Sequence, residues 1–583
     1  MHPLPRIPVN RRSTRRALLQ TLVLLLAIGF FGFCVWNSAL LELLPIQQGF
    51  VFCLTLGVAG VIGFASARIG LALVASGALF FALKFIAVMK LRYLAAPLVP
   101  ADFVYFARES LLETLKQYPN LYAVLLGTSV ILPVMLGVLW YFDLRFLPPL
   151  RKGLGSIGLR LAGIGLSVLG LWWCLQPGGP FTSVYQSSAW NTVSGKTQLS
   201  GFFVAIDKMT AHLPERSDAE TAARDWAASS TPADTGANDA TTHPDIVLVL
   251  EESTFDPRDL VACDIAQCEV DLFAPDADTR GHGPLRVHTF GGSTWVSEFS
   301  VLTGLPQTLF GPAGAYAPFV LAPRMQDSLP RQLRRLGYQT IAVYPVAGSF
   351  LNARNAYNAY GFDHFLDASD LGIEVWHTGD AQMFAAARKV YEQYKRPGQP
   401  VFLMVLTLEQ HGPHDGRALT ELPPPFNQEL LPNLPATEAL NLSTYLASLH
   451  RSSEAMRGLQ KDFLQRPQPT VLVHFGDHQP AFGGLIHRMP RTLPTSLQDE
   501  KDYITYYMIK SNFASRPLPE YPVLDIAFLP SLLLDAADLP QGAYFSASSL
   551  LRERCEGRYD TCPDSALMAS YHAWVFDHLG IYR

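Results

Sequence analysis

The 583-residue sequence predicts an α-helical membrane region of about five transmembrane helices, followed by an α/β domain with a mostly parallel central sheet flanked by helices. Three observations predict this. The chain is 49% hydrophobic and 16% charged, with mean hydropathy +0.16, where soluble domains carry about 25% charged residues. The charge is unevenly placed: residues 1–175 hold 15 Lys/Arg against 5 Asp/Glu, and residues 176–583 hold 30 against 45. Beyond residue 244, short β-branched runs alternate with helical patterns. The length allows roughly two to four domains. Such a composition excludes a uniformly soluble or a disordered chain, and the acidic second part argues against a nucleic-acid partner.

In the first part, residues 17–88 contain only three charges, Glu42, Arg68 and Lys84. A crossing needs about 20 apolar residues, and the sequence offers five such stretches, near 17–36, 47–66, 69–88, 121–142 and 157–175. Arg11, Arg12, Arg15 and Arg16 precede the first stretch, which resembles a signal peptide; a second span follows almost at once, so a retained anchor is the better reading. The arginines place the N-terminus in the cytoplasm, and five crossings place the chain after Gln176 outside. Arg145, Arg151, Lys152 and Arg160 then fall on the cytoplasmic side. Residues 89–120, with Lys90, Arg92, Arg108 and Lys116, fall on the outer side and read as a segment along the membrane surface.

Cys34, Cys53 and Cys174 lie in or beside the spans, whereas Cys263/Cys268 and Cys555/Cys562 form two close pairs in the exported part. Local pairs in an exported domain point to two short disulfide loops, with a zinc site as the alternative. Gly153-Leu-Gly155-Ser-Ile-Gly158 matches a dinucleotide-binding pattern by chance, because it sits between apolar spans rather than in a βαβ unit. Residues 214–243, rich in Ala, Ser, Thr, Asp and Pro, read as a linker or a fraying surface helix. The resulting division is 1–175 membrane anchor, 176–243 juxtamembrane segment and linker, and 244–583 exported domain.

Within the exported domain, continuous apolar runs at 245–250, 340–344, 401–406 and 470–475 read as buried parallel strands. Helical patterns occupy about 324–336, 380–395 and 437–465. Ligands of such sheets bind beyond the carboxyl ends of the strands. The residues found there are Glu251, Glu252 and Ser253; then Thr407, Glu409, Gln410, His411, Gly412, Pro413 and His414; then Gly476, Asp477 and His478. Each alone could be a turn former or a cap, but three strand ends deliver carboxylates and imidazoles to one rim. That donor set suits Zn, Mn or Mg, and such a metal can polarise a phosphoryl or sulfuryl oxygen. A nucleophile is offered by Phe290-Gly-Gly-Ser-Thr294-Trp-Val-Ser-Glu298, where two glycines precede a Ser/Thr pair at a helix start. The alternative for Thr294 is an ordinary N-cap. His364 and His414 read as loop residues.

Taken together, these stretches resemble the alkaline-phosphatase superfamily. Within it they resemble the membrane-anchored branch of lipoteichoic acid synthases and periplasmic-glucan phosphoglycerol transferases. Leu250-Glu-Glu252-Ser253 resembles the family's strand-end Glu-Ser, and Gly476-Asp477-His478 its Gly-Asp-His. The resemblance thereby implies Glu252, Asp477 and His478 as metal ligands and Thr294 as both nucleophile and ligand. Gln410-His411-Gly-Pro413 resembles the segment whose histidine contacts substrate phosphate. His487 is a candidate for phosphate or a second metal, or else an exposed loop histidine. The headgroup region resembles Tyr344-Pro-Val-Ala-Gly-Ser-Phe350-Leu-Asn-Ala-Arg354. Relatives often carry a histidine where Tyr344 stands and a Trp near Leu351, and Arg354 is only approximately in place.

The resemblance implies a metal-dependent transfer of phosphoglycerol from a membrane phospholipid to a periplasmic glycan or lipid acceptor, through a phospho-threonine intermediate. It implies one divalent metal (Mn, Zn or Mg), with a second as an option, and a bacterial inner-membrane location. Sulfatases of the superfamily need a Cys/Ser-x-Pro-x-Arg signature, which 294–300 lacks. Phosphoethanolamine transferases usually follow their threonine with Ser-x-Pro-Cys, whereas Ser297 here precedes Glu298-Phe299. A phosphoethanolamine transferase is the first alternative; a phosphodiesterase and a non-catalytic lipid-sensing relative are the others. Oligomeric state is not legible.

Overall fold

The computed structural model describes residues 11–94, 97–106, 119–148, 154–186, 199–205, 211–227, 243–414 and 416–583. It forms two compact units, one drawn from the chain before Lys208 and the other essentially Lys208–Arg583.

The first unit contains helices Arg11–Asn37, Pro45–Ser66, Ile69–Leu94, Pro119–Phe142 and Leu154–Cys174. Four stretches, Arg16–Leu41, Pro45–Ser66, Ile69–Leu91 and Gly155–Cys174, are long and apolar enough to cross a membrane. The remaining expected crossing is the Pro119–Phe142 helix, whose apolar stretch Leu126–Phe142 is shorter. Outward faces carry Leu26, Ile131 and Leu166, each more than 60% exposed, the reverse of a water-soluble helix. Small residues bring the second and fifth of these helices close: a Cβ on Gly163 would lie 2.2 Å from the Phe64 ring, and one on Gly60 2.4 Å from Ser167 Oγ. Gly155 and Gly158 lie inside an apolar helix and not in a nucleotide-binding loop.

Several buried charges in this unit have partners. Arg68 Nη1 donates to the Asp143 carbonyl at 2.8 Å, and Asp143 Oδ2 accepts the Leu71 N–H at 2.8 Å. Glu42 accepts hydrogen bonds from Ser200 Oγ (2.7 Å) and the Leu199 N–H. Lys90 donates to Asp102 and to the Pro97 carbonyl. Arg108, Lys116, Arg151 and Lys152 lie outside the described residues.

The second unit is built on one eight-stranded sheet: β1 Asp245–Glu251, β2 Thr279–Arg286, β3 Gln339–Val343, β4 His364–Leu366, β5 Val401–Leu406, β6 Thr470–Gly476, β7 Ile504–Ser511 and β8 Leu524–Asp525. The strand order is β4-β3-β5-β1-β6-β7-β2-β8, and only β7 runs against the others. The four apolar runs are β1, β3, β5 and β6. All seven residues of β1 are buried. Val247 and Val249 pack with Met383 and Leu446 of the helices Asp380–Tyr394 and Ala436–Leu464. Ile246, Leu248 and Leu250 point the other way and are equally buried, so both faces of the sheet are covered.

Some elements differ from expectation. His364 opens β4 rather than sitting in a loop, because Asp363–Leu366 returns beside β3 and pairs with Ile341–Val343. The helix expected near 324–336 is shortened to Leu329–Arg335, where Ser328 caps the Arg331 N–H. Part of the expected linker is the helix Ala219–Ala227, whose Trp226 is buried, donates to Ser570 Oγ at 3.0 Å and packs edge-on against Tyr571; residues 228–242 lie outside the described residues. Both local cysteine pairs, Cys263–Cys268 and Cys555–Cys562, are disulfides, and Cys34, Cys53 and Cys174 are free.

One glycine controls how β1 and β6 finish together. Gly476 is paired with Glu251, and a Cβ there would lie 1.8 Å from the Thr254 carbonyl oxygen. Gly476→Ala is therefore expected to cost about 2–3 kcal/mol, read as a lowered thermal unfolding midpoint; an unchanged midpoint would contradict the close approach.

Candidate active site

The site is assembled where β1 and β6 end side by side. Past Glu251, Glu252 is followed by Ser253, whose backbone turns into the left-handed region at φ 52°. That turn aims the Ser253 N–H at Asp477 Oδ1, 2.7 Å away. The same oxygen accepts the His478 N–H at 2.8 Å, so two backbone donors fix one oxygen of Asp477. The other oxygen, Oδ2, has no hydrogen-bond partner and is buried.

Thr294 arrives from a different direction. Gly291, Gly292 and Ser293 have φ of 72°, 158° and 71°, a succession of positive values that two glycines make accessible. They turn the chain into the helix Thr294–Thr303. Ser293 is the N-cap position and Thr294 the first helical residue, so Thr294 is not the capping residue. Its hydroxyl instead donates across the site to Glu252 Oε2 at 2.7 Å. Ser297 Oγ, one turn on, donates to the Asp477 carbonyl at 2.6 Å, and the Gly291 N–H donates to the Gln479 carbonyl at 2.9 Å. These bonds lock the Thr294–Thr303 helix to the end of β6.

Glu252, Asp477 and His478 offer ligand atoms that all lie within 4.8 Å of one another. His478 Nε2 is 3.2 Å from Glu252 Oε1 and 3.3 Å from Asp477 Oδ2, without hydrogen-bond geometry to either. The three atoms surround a point rather than pairing off. His478 Nδ1 lies 3.0 Å from the Gln479 carbonyl, which turns Nε2 toward the cluster as a lone-pair donor.

The electrostatics point the same way. Burial raises the Asp477 carboxyl, and the neighbouring Glu252 carboxylate raises it further. Burial also acts to raise Glu252, but His478, then His411 and the Thr294 hydroxyl, hold it well below the usual carboxylate range. Glu298, on the first turn after Thr294, is pushed up to about 8 by burial and by Asp477 and Glu252. Two buried carboxyls, Glu252 and Asp477, thus flank the His478 imidazole, with Glu298 behind them. Two carboxylate oxygens, an imidazole nitrogen and a nearby hydroxyl are the donor set of Zn or Mn, and of Mg where oxygens dominate. The orphaned Asp477 Oδ2 and His478 Nε2 fit a divalent cation.

Of the other sequence candidates, His411 stands with the cluster, since its charge acts on Glu252. It is half-buried beside Trp376, with ring centroids 5.2 Å apart. Arg354 is engaged elsewhere: its guanidinium donates to Asp367 Oδ2 (2.7 Å), Asp370 Oδ2 (2.8 Å) and the Phe365 carbonyl (3.1 Å). His487 pairs with Asp502 at 2.7 Å. No hydrogen bond or ion pair joins Arg354 or His487 to the cluster among the described residues. His414 is buried, edge-on to Tyr445 and Phe482. Behind Glu252 lies a group that sequence reading missed: Ser452 Oγ donates to Glu251 Oε2 at 3.0 Å and also bonds Asp380. Ser452 and Asp380 sit on helices with no local signal and meet Glu251 only through the fold.

In the metal-free protein, burial lowers His478, but the carboxylates of Asp477 and Glu252 outweigh it and push it up to about 9. A raised folded-state value gives stability that is complete below the unfolded value and lost as pH rises through the folded one. Between the ordinary 6.5 and about 9, metal-free protein therefore loses stability as pH rises, and raised Asp477 acts in the same sense. Metal needs the deprotonated ligands, so the increase in unfolding midpoint on adding Mn or Zn should grow over the same window and vanish in His478→Gln. A metal effect equal at pH 6.5 and 9, or retained in His478→Gln, would contradict this ligand set.

Comparison with known proteins fits this geometry. A relative from Haemophilus influenzae, called an uncharacterized protein, is 32% identical over 356 residues, covering 59% of this chain and 62% of its own length. A Rhizobium meliloti protein, provisionally named a cyclic beta-1,2-glucan modification protein, is 26% identical over 249 residues, covering 41% and 37%. The matches thus span less than two thirds of these relatives. The Streptococcus pyogenes phosphoglycerol transferase GacH in complex with sn-glycerol-1-phosphate superposes with TM-score 0.48 at 19% identity, covering 63% of this chain and 95% of that one. The family model described as Sulfatase matches residues 244–538, just over half of the chain and the whole of the strand-end cluster. The chain belongs to the sulfatase family of the alkaline-phosphatase superfamily.

Proposed function

We propose that this protein is a membrane-anchored phosphotransferase that moves phosphoglycerol from a membrane phospholipid to a glycan or lipid acceptor. The observation that carries the reading is the Thr294 hydroxyl, held at 2.7 Å by Glu252 beside the Asp477–His478 ligand pair. A threonine there, with no cysteine and no following Pro-x-Arg, favours phosphoryl over sulfuryl chemistry.

The transfer runs in two steps. Thr294 Oγ attacks the phosphodiester phosphorus as its proton passes toward Glu252, and diacylglycerol leaves with a proton. The resulting ester on Thr294 is then attacked by an acceptor hydroxyl, and Thr294 regains its hydroxyl hydrogen. Glu252, Asp477 and His478 would hold the divalent cation, which when bound neutralises charge on the hydroxyl and the phosphate. His411 borders the same charges and faces the phosphate oxygens. The free N–H groups at the start of Thr294–Thr303 add a positive helix end at the nucleophile. Arg354 and His487 enter only as more distant candidates, for the headgroup and for phosphate.

The anchor fits a lipid donor. Residues 1–175 form the membrane region, 176–243 the connection and 244–583 the catalytic domain, with the N-terminus in the cytoplasm of a bacterial inner membrane and the catalytic domain in the periplasm. The basic segment after the third span is compatible with the outer side because Lys90 is neutralised by Asp102. The glucan in the name of the Rhizobium meliloti relative supports a glycan acceptor.

Full-length, Mn-loaded protein in phosphatidylglycerol vesicles should release diacylglycerol, and Thr294→Ala should lower the rate on the order of 10³-fold or more. Full turnover by Thr294→Ala would contradict the nucleophile. Turnover on phosphatidylethanolamine alone would replace the donor and keep the chemistry.

A further inference from the structure

Beside His411 lies Trp376, a residue unusual in three separate respects. Its backbone has φ 67°, in the left-handed region that large side chains seldom occupy. Its ring lies against the His411 ring at 5.2 Å and edge-on to Phe350 at 5.0 Å. Its indole N–H is buried without a hydrogen-bond partner among the described residues. The loop presenting Phe350 is also built to hold a fixed shape: Leu351 and Asn352 have φ of 47° and 60°, and Asp367 Oδ2 ties the Gly348 N–H to the Arg354 guanidinium. Arg354 acts here as a positioning residue for that loop.

A second, independent observation concerns Gln410, directly before His411. Its side chain is fully buried, and neither its amide nitrogen nor its amide oxygen has a partner among the described residues. A primary amide left unmet in an interior is costly and rare in native proteins. Two unmet polar side chains at one phosphate-facing histidine are accounted for if a ligand completes them.

Their chemistry limits the ligand. An indole N–H only donates, so it needs an acceptor. A hydroxyl accepts from it and also pairs with either end of an amide, whereas an ammonium has no lone pair to offer. Among the nearby carboxylates that could attract an ammonium, Asp367 and Asp370 are bound to Arg354 and Glu409 to Arg451. We propose that Trp376 and Gln410 form a hydroxyl-recognition subsite beside His411, with Phe350 as its apolar wall, that selects a neutral polyol over an amine. The proposal deepens the phosphotransferase reading and rests on it. The hydroxyl belongs either to the donor headgroup or to the acceptor sugar.

The test uses full-length, Mn-loaded protein and titration calorimetry with sn-glycerol-1-phosphate, phosphoethanolamine and inorganic phosphate. Wild type is expected to bind glycerol phosphate about tenfold more tightly than phosphoethanolamine. Trp376→Phe keeps a ring and removes the N–H; it should weaken glycerol phosphate about tenfold and leave the other two unchanged. Gln410→Leu should weaken the same ligand while the unfolding midpoint holds or rises, because it removes unmet polar groups. Equal loss of all three ligands, no loss in either variant, or tighter binding of phosphoethanolamine by wild type would overturn the proposal. Diacylglycerol release then separates the sources: slowing of that step in Trp376→Phe assigns the hydroxyl to the donor, and slowing only of the later transfer to an oligosaccharide assigns it to the acceptor. If wild type binds glycerol phosphate selectively but cleaves no lipid, the transfer reaction falls and the subsite stands.

Discussion

Two carboxylates, Glu252 and Asp477, are buried beside one imidazole, and the rest of the site is arranged around that concentration of charge. Water would normally solvate such groups; here the sheet excludes it. The chain compensates one oxygen of Asp477 with two backbone N–H donors and one oxygen of Glu252 with the Thr294 hydroxyl. What is left over, an aspartate oxygen and an imidazole nitrogen, converges on one point. A cation held at that point would offset the repulsion and, under the proposed function, would also lower the cost of charge on the threonine hydroxyl. On the proposed function, stability and chemistry would meet in the same few atoms, and a change that satisfied the carboxylates without metal would relieve the repulsion at the expense of the transfer.

The parallel sheet is what makes this concentration reproducible. β1 and β6 are hydrogen-bonded neighbours in register, so the residues immediately beyond them emerge at the same height. Gly476 lets the Thr254 carbonyl pass close by, and Ser253 reverses the chain before it can leave the sheet edge. The Thr294–Thr303 helix comes from a distant part of the sequence and is fastened to β6 by Ser297 and Gly291. These contacts all lie within the second unit, and the membrane unit has its own: small residues between helices, and carbonyl, carboxylate, hydroxyl or N–H partners for the buried charges described above.

Much of this was legible in the sequence because its signals are local. Continuous β-branched runs announced β1, β3, β5 and β6, and the polar residues straight after them named Glu252, His411, Asp477 and His478. The apolar stretches announced the membrane helices for the same reason. What escaped was set by partners far along the chain. β2 reads Thr279-Arg-Gly-His-Gly-Pro-Leu-Arg286, with two glycines and a proline, and is a strand only because β7 and β8 flank it. Arg354 is implicated only by the resemblance of its segment to a headgroup region, and the Asp367 and Asp370 that bind it from across a loop were not legible as its partners. Trp376 carried no motif, and its importance appears only when the fold places it against His411. Whether Thr294 was the cap could not be read from a Ser-Thr pair at a helix start; the fold gives the N-cap position to Ser293 and turns the Thr294 hydroxyl toward Glu252.

The central claim is that the phosphoryl group passes through Thr294. The most direct measurement is peptide mapping by mass spectrometry of full-length, Mn-loaded protein quenched in acid after brief exposure to phosphatidylglycerol without acceptor. The account predicts a glycerophosphoryl group on the peptide containing Thr294, localised to that residue and absent from metal-stripped protein. A modification on Ser293 or Ser297, or diacylglycerol release with every peptide unmodified at the earliest quench times, would contradict it.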